Sequence, residues 1–439
     1  MRFQEAVSML ARRSRLMAAS AAVALLCVPA FGGQPPSPPA PVSLDVPGRS
    51  DSTPWIAANG SFVAVTWGAS AGGKTDVFLA VSRDAGATFG SPVQVNRLPG
   101  EARLGGELPP RVALRTMSGS STPEIVVLWS ARGEATQIRT AKSRDGGRTF
   151  APPVTLQTPG AAGDRGWPAL ALDQRGAVHA IWLDHRGLAA GRTATGDAGH
   201  ETGAAYDGVA MAQRSGLYYA SVAATGARER ELSKGVCYCC KTALAAGADG
   251  TLFAAWRHVY PGNMRDMAFT LSRDGGRTFS APVRVSEDQW AINGCPDDGP
   301  ALAVDASGTA HLVWPTVIDG PEPEGALFYA STRDGVQFTP RVRIPTLGGP
   351  KPSHPQIVLD GDGRVFVAWD ENIKGRRVAA VRELPLRPAH PLAFGEIVRL
   401  SPTDSASYPV LAATDKGLMA VWTTGGGPSR VETRRVRLP

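Results

Sequence analysis

The fold is decided by a stretch that reads GPALAVDASGTAHLVW at residues 299–314. Two short apolar runs, separated by Asp, Ser and Gly, predict a strand, a tight turn and a second strand. The same phrase recurs at intervals of about 50 to 60 residues along the chain. Six of the seven copies begin at a proline, and Thr242 takes that place in the fourth. Each copy closes on a tryptophan: Trp67, Trp129, Trp182, Trp256, Trp314, Trp369 and Trp422.

Seven copies at this spacing predict an all-β propeller of four-stranded antiparallel blades. In the fifth copy, residues 326–332 and 339–344 supply the third and fourth strands. Seven blades are favoured, with six as the alternative. The chain stops before the last blade has a fourth strand, whereas PVSLDV at 41–46 resembles a fourth strand and precedes the first blade. We therefore expect the N-terminal strand to close the last blade, which removes an open sheet edge.

The N-terminus has the order of a secretory signal peptide. Arg12, Arg13 and Arg15 precede an apolar stretch that ends near small residues at 28–30. We expect residues 1–30 to be removed, with an uncleaved anchor as the alternative, and the protein to be secreted or periplasmic. Residues 31–40 are a Pro-rich linker, and residues 41–439 form a single propeller domain. No later stretch is apolar enough to predict a membrane span.

The distribution of charge along the chain argues against nucleic acid as a partner. The net charge is +7, but acidic and basic residues are mixed throughout the chain. No run of Lys and Arg is interleaved with aromatic residues, so nucleic-acid binding is not expected.

A second motif lies between the third and fourth strands. It reads SRDAGATF at 82–89, SRDGGRTF at 143–150 and 272–279, and TRDGVQF at 332–338. The aspartate can accept backbone N–H groups of a tight hairpin, glycines supply positive φ, and the closing Phe packs on the blade. The motif resembles the Asp-box of sialidase-like (BNR-repeat) propellers. That resemblance implies a structural role for its four aspartates, Asp84, Asp145, Asp274 and Asp334.

The resemblance also implies exo-glycosidase chemistry on terminal sialic acid. In the family, three arginines hold the substrate carboxylate, a Tyr activated by Glu is the nucleophile, and an Asp is the acid/base. The family phrase F-R-I-P is absent before the first strand, where GRSDSTP stands at 48–54, so no catalytic residue carries over by motif. Weak candidates by position are Tyr408, its partner Glu371 or Glu287, and Arg165, Arg186, Arg257 and Arg265. The alternative is that they form ion pairs within and between blades.

Because neighbouring strands of a blade are antiparallel, successive loops lie alternately on the two faces of the propeller. Loops from fourth to first strands and from second to third strands share one face, called here the long-loop face. These loops are long and polar, whereas the other face carries short turns. Functional residues concentrate on such loops, so we expect any ligand there.

Four cysteines remain after the leader, and all of them precede first strands on the long-loop face: Cys237, Cys239, Cys240 and Cys295. Two disulfides are the favoured interpretation in an oxidising compartment. The alternative is a copper or zinc site in which thiolates are joined by His258 or His185.

Three functions are therefore open. The first is an exported, sialidase-like propeller that binds or hydrolyses glycans at the long-loop face. The second is a periplasmic Cys/His protein linked to a metal or to redox chemistry. The third is a non-catalytic platform for a carbohydrate or protein ligand, since a fold does not dictate function.

Overall fold

The computed structural model describes residues 40–437, except 159, 161, 189–207, 223–227, 295, 386–393 and 402–404. The chain divides into two compact units, Met1–Ser37 and Pro38–Pro439, and all described residues belong to the second. The predicted signal peptide and Cys295 lie outside the described residues. Within the described part, no helix is long and apolar enough to cross a membrane.

The described strands form seven four-stranded antiparallel sheets, which confirms the prediction of seven blades. The first strand of the chain is β1 (Val42–Ser43). Blade 1 contains β2 (Ser50–Asn59), β3 (Phe62–Ala71), β4 (Lys74–Ser82) and β5 (Val93–Gln94). Blade 2 contains β6 (Arg111–Arg115), β7 (Glu124–Ala131), β8 (Gln137–Ser143) and β9 (Val154–Thr155). Blade 3 contains β10 (Arg165–Leu172), β11 (Val178–Asp184), β12 (Gly216–Ser221) and β13 (Arg230–Lys234).

The remaining blades repeat this order. Blade 4 contains β14 (Ala243–Ala246), β15 (Leu252–Arg257), β16 (Met267–Ser272) and β17 (Val283–Arg284). Blade 5 contains β18 (Ala301–Val304), β19 (Ala310–Ile318), β20 (Glu324–Thr332) and β21 (Val342–Ile344). Blade 6 contains β22 (Ser353–Leu359), β23 (Val365–Ile373), β24 (Arg376–Leu384) and β25 (Val398–Arg399). Blade 7 contains β26 (Ala406–Thr414), β27 (Gly417–Thr424) and β28 (Arg430–Val436).

The N-terminal strand closes the ring, as the sequence predicts. Strand β1 pairs antiparallel with β28, with Val42 opposite Thr433 and Ser43 opposite Glu432. The first strands of neighbouring blades contact one another around the ring, including β2 with β26. They therefore surround the propeller axis. In the described part of the chain, helical structure is limited to a short helix α1 (Gly208–Gln213) and two 3-10 turns, Arg186–Leu188 and Pro261–Asn263.

The repeated tryptophans join neighbouring blades. All seven side chains are fully buried. Each lies in an apolar cluster shared with the preceding blade, so that Trp67 packs with Val410 and Val421 of blade 7. Every blade interface therefore has the same large aromatic group at its centre, and its burial favours association of the blades.

The Asp-box motifs form the hairpins that follow the third strands. The carboxylate of Asp84 accepts the backbone N–H of Thr88 at 2.9 Å and the hydroxyls of Thr88 and Ser82 at 2.6 and 2.7 Å. These hydrogen bonds hold the pKa of Asp84 well below its usual range. Asp145 and Asp274 make the same contacts. Three of the aspartates are thus engaged within their own turns.

The first strands of four blades carry a bulge at the residue before the proline. The pairing register shifts there in β2, β10, β22 and β26. The residue before the proline has positive φ in each case: Thr53 (52°), Trp167 (51°), His354 (54°) and Tyr408 (51°). Residues before proline normally adopt extended conformations, so these four positions are strained.

Candidate functional site at the propeller axis

A small cavity lies where the first strands converge. It has a volume of about 20 Å³, enough for roughly one water molecule. Five blades contribute the residue before the first-strand proline position: Thr53, Pro109, Lys241, His354 and Tyr408. Gly106 and Glu107 from the loop before blade 2 complete the polar side of the lining. The axial cavity therefore opens on the long-loop face.

A buried ion pair forms one side of the cavity. Lys241 Nζ lies 2.9 Å from Glu107 Oε1 and also donates to the carbonyl of Pro355 at 2.9 Å. The other carboxylate oxygen of Glu107 accepts the backbone N–H of Gly299 at 2.6 Å. Both charged side chains are almost completely buried, at 4% and 1% exposed. Burying two charges is costly unless they are paired and hydrogen-bonded, as they are here.

His354 is the centre of a second charged group. Its Nδ1 lies 2.9 Å from Asp370, which also binds Arg377 at 2.6 Å and accepts the backbone N–H of Tyr408 at 2.6 Å. The backbone N–H of His354 donates to Asp298 at 3.0 Å. Burial alone would lower the pKa of His354, but the carboxylates of Asp370 and Asp298 raise it above its ordinary value. The two carboxylates therefore favour the protonated imidazole of His354 over the neutral one.

Tyr408 is packed against His354, with ring centroids 4.3 Å apart. Its hydroxyl contacts Gly106 so closely that a Cβ at that position would clash with it. Burial, reinforced by the charge of Asp370, raises the pKa of Tyr408 to about 12. The side chain is thus a neutral phenol beside an imidazole, an arrangement that can donate a proton or a hydrogen bond.

The structure places the predicted nucleophile and its predicted partners apart. Tyr408 lines the axial cavity. Glu371 instead accepts N–H groups from Leu347 at 2.6 Å and Trp369 at 2.7 Å inside blade 6. Glu287 is exposed and lies 3.8 Å from Arg284. The carboxylate beside Tyr408 is that of Asp370.

Two candidate arginines lie together in blade 3. Arg165 and Arg186 both bind the buried carboxylate of Asp184, at 3.1 and 2.7 Å. Arg186 also binds Glu229 at 2.9 Å. Both guanidinium groups therefore have anionic partners within the protein.

The other two candidate arginines lie together in blade 4. Arg257 donates to the backbone carbonyls of Asp298 at 2.8 Å and of Pro315 at 2.7 Å. Arg265 donates to Cys237 Sγ at 3.2 Å. Both side chains are buried, and neither lines the axial cavity.

The cysteines before blade 4 form a compact group. The Sγ atoms of Cys237 and Cys240 lie 3.6 Å apart, and that of Cys239 lies 3.9 Å from each. Cys237 and Cys240 are free thiols, whereas Cys239 is disulfide-bonded. A hydrogen bond from Cys240, with the nearby charges of Arg265 and Arg257, lowers the pKa of Cys237 to about 6. Burial raises the pKa of Cys240.

The two candidate histidine ligands lie outside this group. His258 Nδ1 accepts the indole N–H of Trp256 at 3.4 Å. The ring of His185 packs beside Trp167 and Tyr238, with centroids about 6 Å away. Burial lowers the pKa of both histidines to about 4. Among the described residues, the group close enough to share a metal ion consists of the three cysteines.

Sequence reasoning missed most of the axial cavity. The sequence patterns do not single out the residues that surround it: Glu107, Lys241, Asp298, His354, Asp370 and Arg377. The signal that could have found Lys241 and His354 is their position immediately before the first-strand proline or its substitute. Glu107 and Arg377 have no comparable sequence signal.

Comparison with known proteins supports the fold. No protein-family model matches the sequence, and no curated protein matches it. The structure is similar to a family PL25 polysaccharide lyase, an ulvan lyase bound to -[GlcA(1-4)Rha3S]-, with a TM-score of 0.56 and 9% identity over 89% of this chain and 95% of that chain. A protein of unknown function from Dyadobacter fermentans has a TM-score of 0.50 and 14% identity over 89% and 100% of the two chains.

A third similar structure is an α-L-arabinanase from Penicillium chrysogenum complexed with arabinobiose. Its TM-score is 0.48, with 14% identity over 91% of this chain and 99% of that chain. The fold and the site together define the class: a seven-bladed, all-β propeller with buried ionisable residues at one end of its axis.

Proposed function

We propose that this protein binds acidic glycan chains across the mouth of the axial cavity. The observation that carries the proposal is the convergence of Lys241, His354 and Tyr408 from three blades on one cavity. The ammonium of Lys241, the imidazole of His354 and the phenol of Tyr408 can all donate hydrogen bonds, a combination that suits the oxygens of a sugar carboxylate or sulfate. Buried ionisable groups at strained backbone positions are typical of functional sites.

The size of the cavity limits how a glycan binds. A space for roughly one water molecule does not admit a sugar ring. The ring therefore lies across the long-loop face and presents one acidic group or hydroxyl to Lys241, His354 and Tyr408. The structural similarity to an ulvan lyase bound to a glucuronate-containing chain supports an acidic ligand.

A catalytic role for the same cavity would be cleavage of the bound glycan chain. Tyr408 is a neutral phenol next to His354, whose protonated form the nearby carboxylates favour, so the pair suits donation of a proton to a leaving sugar oxygen. A sialidase-like mechanism needs a Tyr activated by a carboxylate. Asp370 is instead engaged by His354, Arg377 and the Tyr408 backbone, which favours proton donation over nucleophilic attack.

A glycan panel tests the proposal. Binding and turnover are measured with uronate-containing, sialylated, sulfated and neutral chains. We expect acidic chains to bind, and Tyr408→Phe to weaken binding about tenfold, because one hydrogen bond to a charged group contributes about 1.5 kcal/mol. Tyr260→Phe, which changes a tyrosine outside the cavity, should bind as the wild type does. Equal binding of neutral and acidic chains, or no effect of Tyr408→Phe, would contradict the proposal.

We also propose that the protein acts outside the cytoplasm, in the periplasm or after secretion. The charged, apolar, small-residue order of residues 1–30 supports export. N-terminal sequencing of the chain from each cell fraction is the test, and an unprocessed cytoplasmic chain would contradict the proposal.

A further inference from the structure

We infer that Cys237 and Cys240 bind one copper(I) ion in a buried site that is separate from the axial cavity. The two residues form a C-x-x-C motif at the start of blade 4, and both side chains are 1% exposed. Neither lines the axial cavity. The copper site is therefore distinct from the glycan site, and each can be tested without the other.

The sulfur separation fits two ligands of one ion. A metal–thiolate bond is about 2.3 Å long, so two sulfurs on one ion lie at most about 4.6 Å apart. The Sγ atoms of Cys237 and Cys240 are 3.6 Å apart, which is within this limit. Cys239 is disulfide-bonded and is not counted as a thiolate ligand.

The available ligands select a soft ion. Within the described part of the chain, no histidine or carboxylate joins the sulfur group. Structural zinc sites require four ligands, which two thiolates do not supply. Thiolates alone are the preferred ligands of copper(I), which tolerates low coordination numbers.

Positive charge surrounds the two sulfurs. Two thiolates and copper(I) carry a net charge of −1, which is offset by the guanidinium groups of Arg265, donating to Cys237 Sγ at 3.2 Å, and of Arg257. Arg265 is fully buried, and its second amino nitrogen has no hydrogen-bond partner among the described residues.

Hydrogen bonds to both sulfurs prepare the site. Cys240 Sγ accepts the backbone N–H of Asp298, and Cys237 Sγ accepts from Arg265. Arg257 in turn donates to the backbone carbonyl of Arg265 at 2.6 Å, which fixes that segment. Such outer contacts orient metal ligands and typically change metal affinity by about 10- to 100-fold when they are removed.

Copper(I) titration tests the site. The full chain is purified without oxygen, its thiols are counted, and copper(I) is added in competition with a chromophoric chelator. We expect one copper per chain, with only sulfur in the first coordination shell by X-ray absorption. Cys237→Ser and Cys240→Ser should each abolish stoichiometric binding. Arg265→Gln should weaken it by about 10- to 100-fold.

Controls make the outcome decisive. His258→Gln removes a nearby imidazole outside the sulfur group and should leave copper binding unchanged. Circular dichroism checks the fold of every variant, and the X-ray absorption of wild-type protein needs no variant. Nitrogen or oxygen ligands, copper retained by the double serine variant, tighter binding of zinc(II), or a Cys237–Cys240 disulfide in the isolated protein would each overturn the inference. Glycan binding by the cysteine variants tests the axial cavity separately.

Discussion

Three of the residues that line the axial cavity occupy unfavourable backbone conformations. Thr53, His354 and Tyr408 all precede proline and have φ between 51° and 54°. Such strain costs about 1–3 kcal/mol per residue and persists only where surrounding contacts compensate. At His354 and Tyr408 the compensation is visible, because both backbone N–H groups donate to buried carboxylates, those of Asp298 and Asp370.

His354 gives a pH-dependent prediction. Its folded-state pKa lies above the unfolded value of about 6.5, so the protonated ring stabilises the fold. That contribution is fully present below about pH 6.5 and is lost as the pH rises through the folded-state pKa. We expect His354→Gln to lower the free energy of unfolding most at about pH 5.5 to 6.5, and less at higher pH.

Urea unfolding at a series of pH values measures this effect. His258→Gln is the matched control, because burial lowers the pKa of His258 to about 4. His258 therefore destabilises the folded wild type as the pH falls below about 6.5, and its removal should show the opposite trend. A stability loss in His354→Gln that grows with pH would show that the folded-state pKa of His354 is not raised.

At the scale of strands and hairpins, the sequence predicts well what depends on local patterns. The apolar runs predict the first two strands of every blade, and the Asp-box predicts a hydrogen-bonded turn because its aspartate, glycines and Thr act within eight residues. The bulges were not predicted. Their positive φ values depend on contacts with other blades, such as the carboxylate of Asp370 in blade 6 with the backbone of Tyr408 in blade 7.

The Asp-box glycines of blade 4 provide a matched pair. Gly275 and Gly276 both have positive φ, 72° and 85°. A Cβ at Gly275 meets open space, whereas one at Gly276 meets the hydroxyl of Tyr219 in blade 3. We expect Gly275→Ala to cost about 1 kcal/mol from strain alone. Gly276→Ala should cost about 1–3 kcal/mol more, because the clash forces two blades apart.

Chemical unfolding of both variants, alone and with Tyr219→Phe, measures the contribution of the clash. Removal of the Tyr219 hydroxyl should recover part of the stability lost in Gly276→Ala and none of that lost in Gly275→Ala. Equal losses in the two alanine variants would show that only backbone strain matters at this hairpin.

At the scale of the whole molecule, blade number was predictable and the axial cavity was not. Seven copies of the strand–turn–strand pattern give the number of blades directly. The missing fourth strand of the last blade indicates that β1 closes the ring. The cavity joins residues as distant as Glu107, Lys241 and Tyr408. Their proximity follows from closure of the ring. The spacing of the apolar strands along the sequence does not indicate which loop residues turn towards the propeller axis. The proposed copper site is partly predictable. The C-x-x-C motif is visible in the sequence, but the contact of Arg265 with Cys237 is not.

Closure of the ring is itself testable by truncation. In blade 7, β1 pairs with β28, and Leu44 just beyond it is buried in the cluster that contains Trp67. A chain that begins at residue 48 loses this strand and exposes the edge of β28, whereas one that begins at residue 40 retains it. We expect the shorter chain to unfold several degrees lower and to associate as its concentration rises, because an unpaired edge recruits other strands. Calorimetry and light scattering compare the two chains. Equal melting temperatures, with both chains monomeric, would show that the ring holds without its N-terminal strand.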